Sequence, residues 1–250
     1  MTLIKRLHWL VFLLALALET KAQSGQKISF YARAGTSVGA AAPLGIPASI
    51  RKVESYNPGF QPALEAGLGY RFAPKLGLAA ALRFEQKGMR TDARVKGYYT
   101  TINEAGSNGI EAVTGYFTGR VRTKIRNRYL TLPLHLTYHS NNDFTLKAGG
   151  FVSLLLNSRF TGDARDGYIR NETPVGEREN IDAAGYDFSG NVRRVNAGIE
   201  IGADYRLSSL LFVSANLNYA LTPLMEPGFR SIDFGMHNIY LNLGIGYRFH

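Results

Sequence analysis

The sequence predicts an all-β chain, a closed antiparallel transmembrane β-barrel of about eight strands with short periplasmic turns and long extracellular loops. Three observations predict it: a leader that marks export, side chains that alternate apolar and polar along segment after segment, and connections that alternate short and long.

Residues 1–22 have the order of a secretory signal peptide. Lys5 and Arg6 precede an apolar run from Leu7 to Leu18, and Thr20 and Ala22 stand two apart ahead of Gln23. A helix needs roughly 20 apolar residues to cross a bilayer, so this run is too short for an anchor. Beyond Gln23, Gly, amide and charged residues interrupt every apolar run, so a membrane role requires strands. Residues 23–250 are expected to form one outer-membrane β-barrel domain. The chain has no cysteine, which excludes disulfides and thiolate metal sites. Its formal charge is +10, or +8 once Lys5, Arg6, Lys21 and Glu19 leave with the leader, a balance that favours anionic surfaces.

A first strand is expected from Ile28 to about Gly39. From Phe60 to Phe72 the even positions Leu64, Leu68, Tyr70 and Phe72 oppose Glu65, Gly67, Gly69 and Arg71. Leu76, Leu78, Leu82 and Phe84 oppose Gly77, Arg83 and Glu85 in the next segment. Leu130 to Tyr138 repeats the pattern against Tyr129, Thr131, Pro133, His135 and Thr137, and Phe144 to Leu156 repeats it more loosely. Val195, Ile199, Ile201, Tyr205 and Leu207 oppose Asn196, Glu200, Asp204 and Arg206. Leu211 to Leu221 and Ile239 to Phe249 complete the count.

Alternation does not say which face points outward, since a soluble lipocalin-like barrel has the same period with its apolar side inside. The polar face here mixes charge with many glycines, which suits a narrow filled interior; on a solvated exterior those glycines would only weaken the strands. Connections are short at 73–75, 140–143 and 208–209 but long at 40–59, 89–125 and 158–192, with a moderate one at 222–235. Tyr70, Phe72, Tyr138, Phe144, Tyr205, Tyr247 and Phe249 gather on the apolar face at the short-turn ends, as an interfacial aromatic girdle does. Pro62 and Pro133 cannot donate to a ladder, and local bulges are expected there.

The segments Leu82–Gly88, Tyr129–Leu134 and Gly244–Phe249 resemble the PorT-like small outer-membrane barrels of Bacteroidota. The resemblance spans the chain after the leader and implies a barrel and an outer-membrane location, without implying a reaction. His250 after Phe249 departs from that group's terminal aromatic residue.

Two sets of residues stand out. Glu65, Arg71, Arg83, Glu85, Glu200, Asp204, Arg206 and Arg248 are expected inside the barrel as a lumen charge network, because an unpaired buried charge is costly. Arg120, Arg122, Lys124, Arg126 and Arg128 recur at every second residue; if the strand continues unbroken they share the face of Leu130, with Arg90, Arg94 and Lys96 on the neighbouring strand. Guanidinium groups bind phosphate in a bidentate fashion, so lipopolysaccharide is the expected partner of this ladder, and a merely solvated charged face is the alternative. Catalysis is not expected. A lipid A deacylase needs a Ser two residues after a His, but Thr137 follows His135, Asn141 follows His139 and Ile239 follows His237. His135 is expected to point inward and His237 to sit at the outer interface. No cofactor, metal or nucleic-acid partner is expected, and a monomer is. A role in protein secretion, a narrow pore, and protein partners for the long loops stay open as alternatives.

Overall fold

The computed structural model describes residues 28–106, 109–171, 173–232 and 234–249. The leader expected at 1–22, and His250, lie outside them. The described residues form eleven strands, all paired antiparallel, and one short 3-10 turn at Ser189–Asn191. They are β1 (Ile28–Pro43), β2 (Ile50–Asn57), β3 (Pro62–Arg71), β4 (Leu76–Gly106), β5 (Gly109–His139), β6 (Phe144–Asn157), β7 (Phe160–Asn171), β8 (Arg178–Asp187), β9 (Val195–Arg206), β10 (Leu211–Ala220) and β11 (Met236–Phe249).

Eight of these pair in a ring. The order β1–β3–β4–β5–β6–β9–β10–β11 returns to β1 through Ala34 opposite Ile245, with Leu64 opposite Phe84, Leu78 opposite Leu136, Ala148 opposite Ile201 and Ala215 opposite Leu243 along the way. The side chains named in that circuit point outward. Leu134, Leu136, Ile201 and Ile245 are each more than half exposed, because no protein covers them. On β11 the apolar face runs from Ile239 to Phe249; ten steps of about 3.4 Å at a tilt of about 40° climb about 26 Å, the height of a hydrocarbon-facing band. Tyr70, Phe72, Tyr138, Tyr205, Tyr247 and Phe249 are all exposed at its lower rim.

The count of eleven corrects the expected eight. The extra strands β2, β7 and β8 come from stretches expected to be long loops. The expected loop at 89–125 is replaced almost entirely by the upper halves of β4 and β5, two 31-residue strands. Above the ring, β2 pairs with β4, β7 with β5 and β8 with β7, and β8 meets β4 where Gly185 faces Asn103. The polarity of the faces inverts on the way up. Outward residues change from Phe84 and Leu130 to Arg90 and Arg126, while inward residues change from Glu85 and Thr131 to Met89, Val95, Val121 and Ile125, all buried. Together with Phe117, Phe160, Ile169, Ile181 and Leu224 these make a hydrophobic core for the upper storey.

The prolines make no bulges. Pro62 opens β3 opposite Thr36, where a missing N–H breaks no ladder. Opposite Pro133 the β4 ladder lapses at Ala81 and Leu82, yet the register on both sides is continuous, so the strand tolerates a lost bond without inserting a residue. The register shifts lie higher, at Val95/Tyr98, Arg128/Tyr129 and Thr118/Arg120, and within the β2–β4 pairing. The shift at Arg128/Tyr129 marks the level at which β7 takes over from β6 as the neighbour of β5.

Candidate functional site

The ring brings four of the eight residues expected in the lumen into one buried cluster around Arg83. Its Nε donates to Glu65 Oε2 at 2.5 Å, and its two terminal nitrogens donate to Glu200 at 2.8 and 2.7 Å in a bidentate pair. Glu85 Oε2 lies 3.9 Å from Arg83 Nη1. Glu85 and Glu200 are fully buried and Arg83 is 1% exposed. The remaining acceptor positions are filled: Asn218 donates to Glu200 at 2.6 Å, Thr131 to Glu85 at 2.7 Å and Tyr31 to Glu65 at 3.1 Å. His135 points inward as expected, with Nε2 3.0 Å from Glu200 Oε1, but without the alignment of a hydrogen bond.

Three further cations complete the set. Arg33 donates to Glu65 at 2.8 Å, Lys87 Nζ lies 3.1 Å from Glu85, and Lys147 donates to Asp204 at 2.6 Å. Four basic side chains (Arg33, Arg83, Lys87, Lys147) thus face four acidic ones (Glu65, Glu85, Glu200, Asp204), so the charges of this paired set balance. Lys87 also stands 5.1 to 5.8 Å from the ring centres of Phe151, Tyr129 and Tyr240, an aromatic layer over the upper end of the cluster. Arg33 and Lys87 stand outside the expected lumen set. Arg33 lies in β1, whose alternation is weak, whereas Lys87 follows Glu85 at strand spacing and carries a signal readable in the sequence.

The other predicted lumen residues stand apart from Arg83. Arg71 and Arg248 line a vestibule of about 210 Å³ at the short-turn end, with Lys147, His139 and Asp204. Arg248 lies 5.9 Å from the centre of the Phe212 ring, and Arg206 Nε is buried without a hydrogen-bond partner among the described residues. Glycine has a local reason here. A Cβ on Gly246 would stand 2.1 Å from the Phe212 ring, and one on Gly67 would stand 2.5 Å from Tyr31, so these rings lie directly across neighbouring glycines.

The basic ladder lies on the outer face of β5. The β4–β5 register is unbroken from Phe84–Leu130 to Val95–Gly119, which keeps Arg120, Arg122, Lys124, Arg126 and Arg128 in line with Leu130. Across from them stand Arg94, Asp92, Arg90, Gly88 and Gln86. The upper half of the ladder is paired: Arg122 donates to Asp92 at 2.8 Å, and Arg120 has Glu54 and Asp166 each at 3.8 Å. Burial pushes the Asp92 carboxyl up, but hydrogen bonds from Arg122 and Ser55 outweigh it and hold it below the usual aspartate range. In the lower half, no carboxylate of the described residues lies within ion-pair distance of Lys124, Arg126, Arg128 or Arg90. His237 sits near the upper rim with Nδ1 2.9 Å from Ala220 O.

The family described as outer membrane protein beta-barrel domain matches residues 21–226. No curated protein matches the chain. Among solved structures, Ail of Yersinia pestis, in complex with the heparin analogue sucrose octasulfate, is 12% identical, with 89% of this chain and 97% of that one covered and a TM-score of 0.37. Neisserial surface protein A is 11% identical (91% and 100% covered, TM-score 0.31), and OprG of Pseudomonas aeruginosa is 14% identical (89% and 96% covered, TM-score 0.35). At such scores these likenesses carry no argument about any residue.

Proposed function

The chain belongs to the outer membrane protein beta-barrel domain family, and we propose that in the bacterial outer membrane it is a non-enzymatic, monomeric, plugged barrel whose basic outer face holds lipopolysaccharide. The observation that carries this reading is the position of Lys124, Arg126, Arg128 and Arg90. They stand outward, just above Leu130 and Phe84 at the top of the apolar band, without carboxylates of their own among the described residues. That is the level of anionic headgroup phosphates, and guanidinium groups hold phosphate in two parallel hydrogen bonds. The upper ladder, engaged with Asp92 and Glu54, serves the hairpin itself.

The test replaces Lys124, Arg126 and Arg128 by Ser in the full chain and measures lipopolysaccharide association in reconstituted vesicles. Three exposed charge contacts at about 0.5 kcal/mol each weaken binding by about tenfold. Removing Arg178, Arg194 and Arg230 instead controls for net charge and leaves association near wild type. Equal association of the ladder variant and wild type rejects the proposal. The buried, charge-paired cluster around Arg83 supports a plugged barrel over a narrow pore, and planar-bilayer conductance separates the two. The segments Leu82–Gly88, Tyr129–Leu134 and Gly244–Phe249 support the PorT-like group as the finer placement; co-purification of secretion components would move the reading toward an accessory role.

A further inference from the structure

The upper storey holds a second compartment that the lipopolysaccharide reading does not use. A cavity of about 320 Å³ opens among Ala41 of β1, Met89 and Val95 of β4, Val121 of β5, Phe160 of β7 and Met236 of β11. These six side chains are all buried, and among the described residues none that lines the cavity carries a charge. Its hydroxyl groups include Tyr56, which donates to Gly39 O at 2.6 Å, and Tyr186, which lies 2.7 Å from Thr123 Oγ1 and donates to Arg122 O at 2.9 Å. Both are engaged by protein partners. The cavity ends above Lys87, two residues below Met89 on the same face of β4, so it is separate from the charged lumen.

Its mouth lies on one side. Above Thr36, β1 no longer has β3 beside it, and the strand that takes up that edge of β4 is β2. The two edges are bridged by the Tyr56 hydroxyl on Gly39 O rather than by a run of paired strand. The exposed lining residues fall here: Ile46 is 72%, Val53 48% and Tyr56 46% exposed. Protein interiors hold few voids larger than a water molecule, and an apolar hollow offers water no hydrogen bonds. A cavity within the size range of small-molecule sites, walled by hydrocarbon and reached through an apolar lip, matches one chemistry.

We propose that this cavity binds a compact, uncharged, predominantly hydrocarbon molecule that enters between β1 and β2. The described lining, hydrocarbon with a few hydroxyls and without charge, disfavours ions, sugars and phosphates, which would shed their hydration for too few partners. The test uses the full chain in lipid nanodiscs with 4-fluorobiphenyl as probe, read by fluorine NMR against protein-free nanodiscs. A bound resonance distinct from the lipid-dissolved probe, saturating at one probe per chain, is expected. Ala93→Trp and Ala41→Phe, which fill the cavity, abolish it, whereas Ile201→Trp on the outer apolar band leaves it intact. Native folding of each variant is checked by heat-dependent gel mobility. Should the filled variants fail to fold, Met236→Ala and Met89→Ala enlarge the cavity and must shift the bound resonance and change the apparent affinity at least threefold. No saturable resonance in the wild type, persistence in the filled variants, equal loss in Ile201→Trp, or indifference to the enlarged variants overturns the proposal.

Discussion

Replacing Arg83 by Leu removes the guanidinium that three buried carboxylates share, and the structure says which of them suffers. Glu65 keeps Arg33 at 2.8 Å, and Glu85 keeps Lys87 at 3.1 Å. Among the described residues, Glu200 keeps only the Asn218 amide at 2.6 Å and the unaligned His135 at 3.0 Å. The variant therefore strands one fully buried carboxylate, and breaking a buried pair in this way costs about 3–5 kcal/mol. Exchanging both partners, Arg83→Leu with Glu200→Leu, removes the stranded charge, and an apolar replacement of a whole pair is close to neutral. The double variant thus recovers at least about 2 kcal/mol of the single loss. The assay is a double-mutant cycle from denaturant unfolding of the barrel in lipid vesicles. A single-variant loss under about 1 kcal/mol, or a double variant equal to the sum of the singles, refutes the argument that Arg83 and Glu200 act as one unit.

Other consequences follow from the same geometry. Conductance through wild-type barrels in planar bilayers is expected to be absent, while Arg83→Ala with Glu200→Ala opens measurable current; unchanged current in that variant means the plug lies elsewhere. Gly246→Val drives a side chain into the Phe212 ring and destabilises by about 1–3 kcal/mol, whereas Gly228→Asn, at a positive-φ turn with open space around it, costs backbone strain alone and less than Gly228→Val in the same unfolding assay, because Asn tolerates the left-handed region better. Asp92, with its folded pKa below the usual aspartate value, contributes a small stability that is present above the unfolded pKa and lost as pH falls through the lowered folded value. Carboxyl NMR titration should place its midpoint below 3.8 and Arg122→Ser should raise it; a midpoint that ignores Arg122 contradicts the pairing.

Much of the lower storey was legible because a strand's alternation is local. Val195 to Leu207 and Leu130 to Tyr138 declare two faces in their own residues, and the glycines and charges opposite them indicate which face avoids hydrocarbon. The ladder from Arg120 to Arg128 was legible for the same reason, as a continuation of the Leu130 parity. The stretches above the band misled because the surroundings change there from acyl chains to water. The same alternation then places charge outside and Met89, Val121 and Ile125 inside, and it reads as loop in the sequence because its outward positions are no longer apolar.

From its residues alone, this chain determined that it is built of strands and apolar on the face that carries Leu134 and Ile201. Only the tertiary structure decided that Arg83 meets Glu200 across 117 residues, that Arg33 and Lys87 balance Glu65 and Glu85, and that three more strands enclose an apolar cavity above them. Which face a side chain takes is set by its immediate neighbours. Which partner it finds there depends on how the whole ring closes, and no local pattern carries that information.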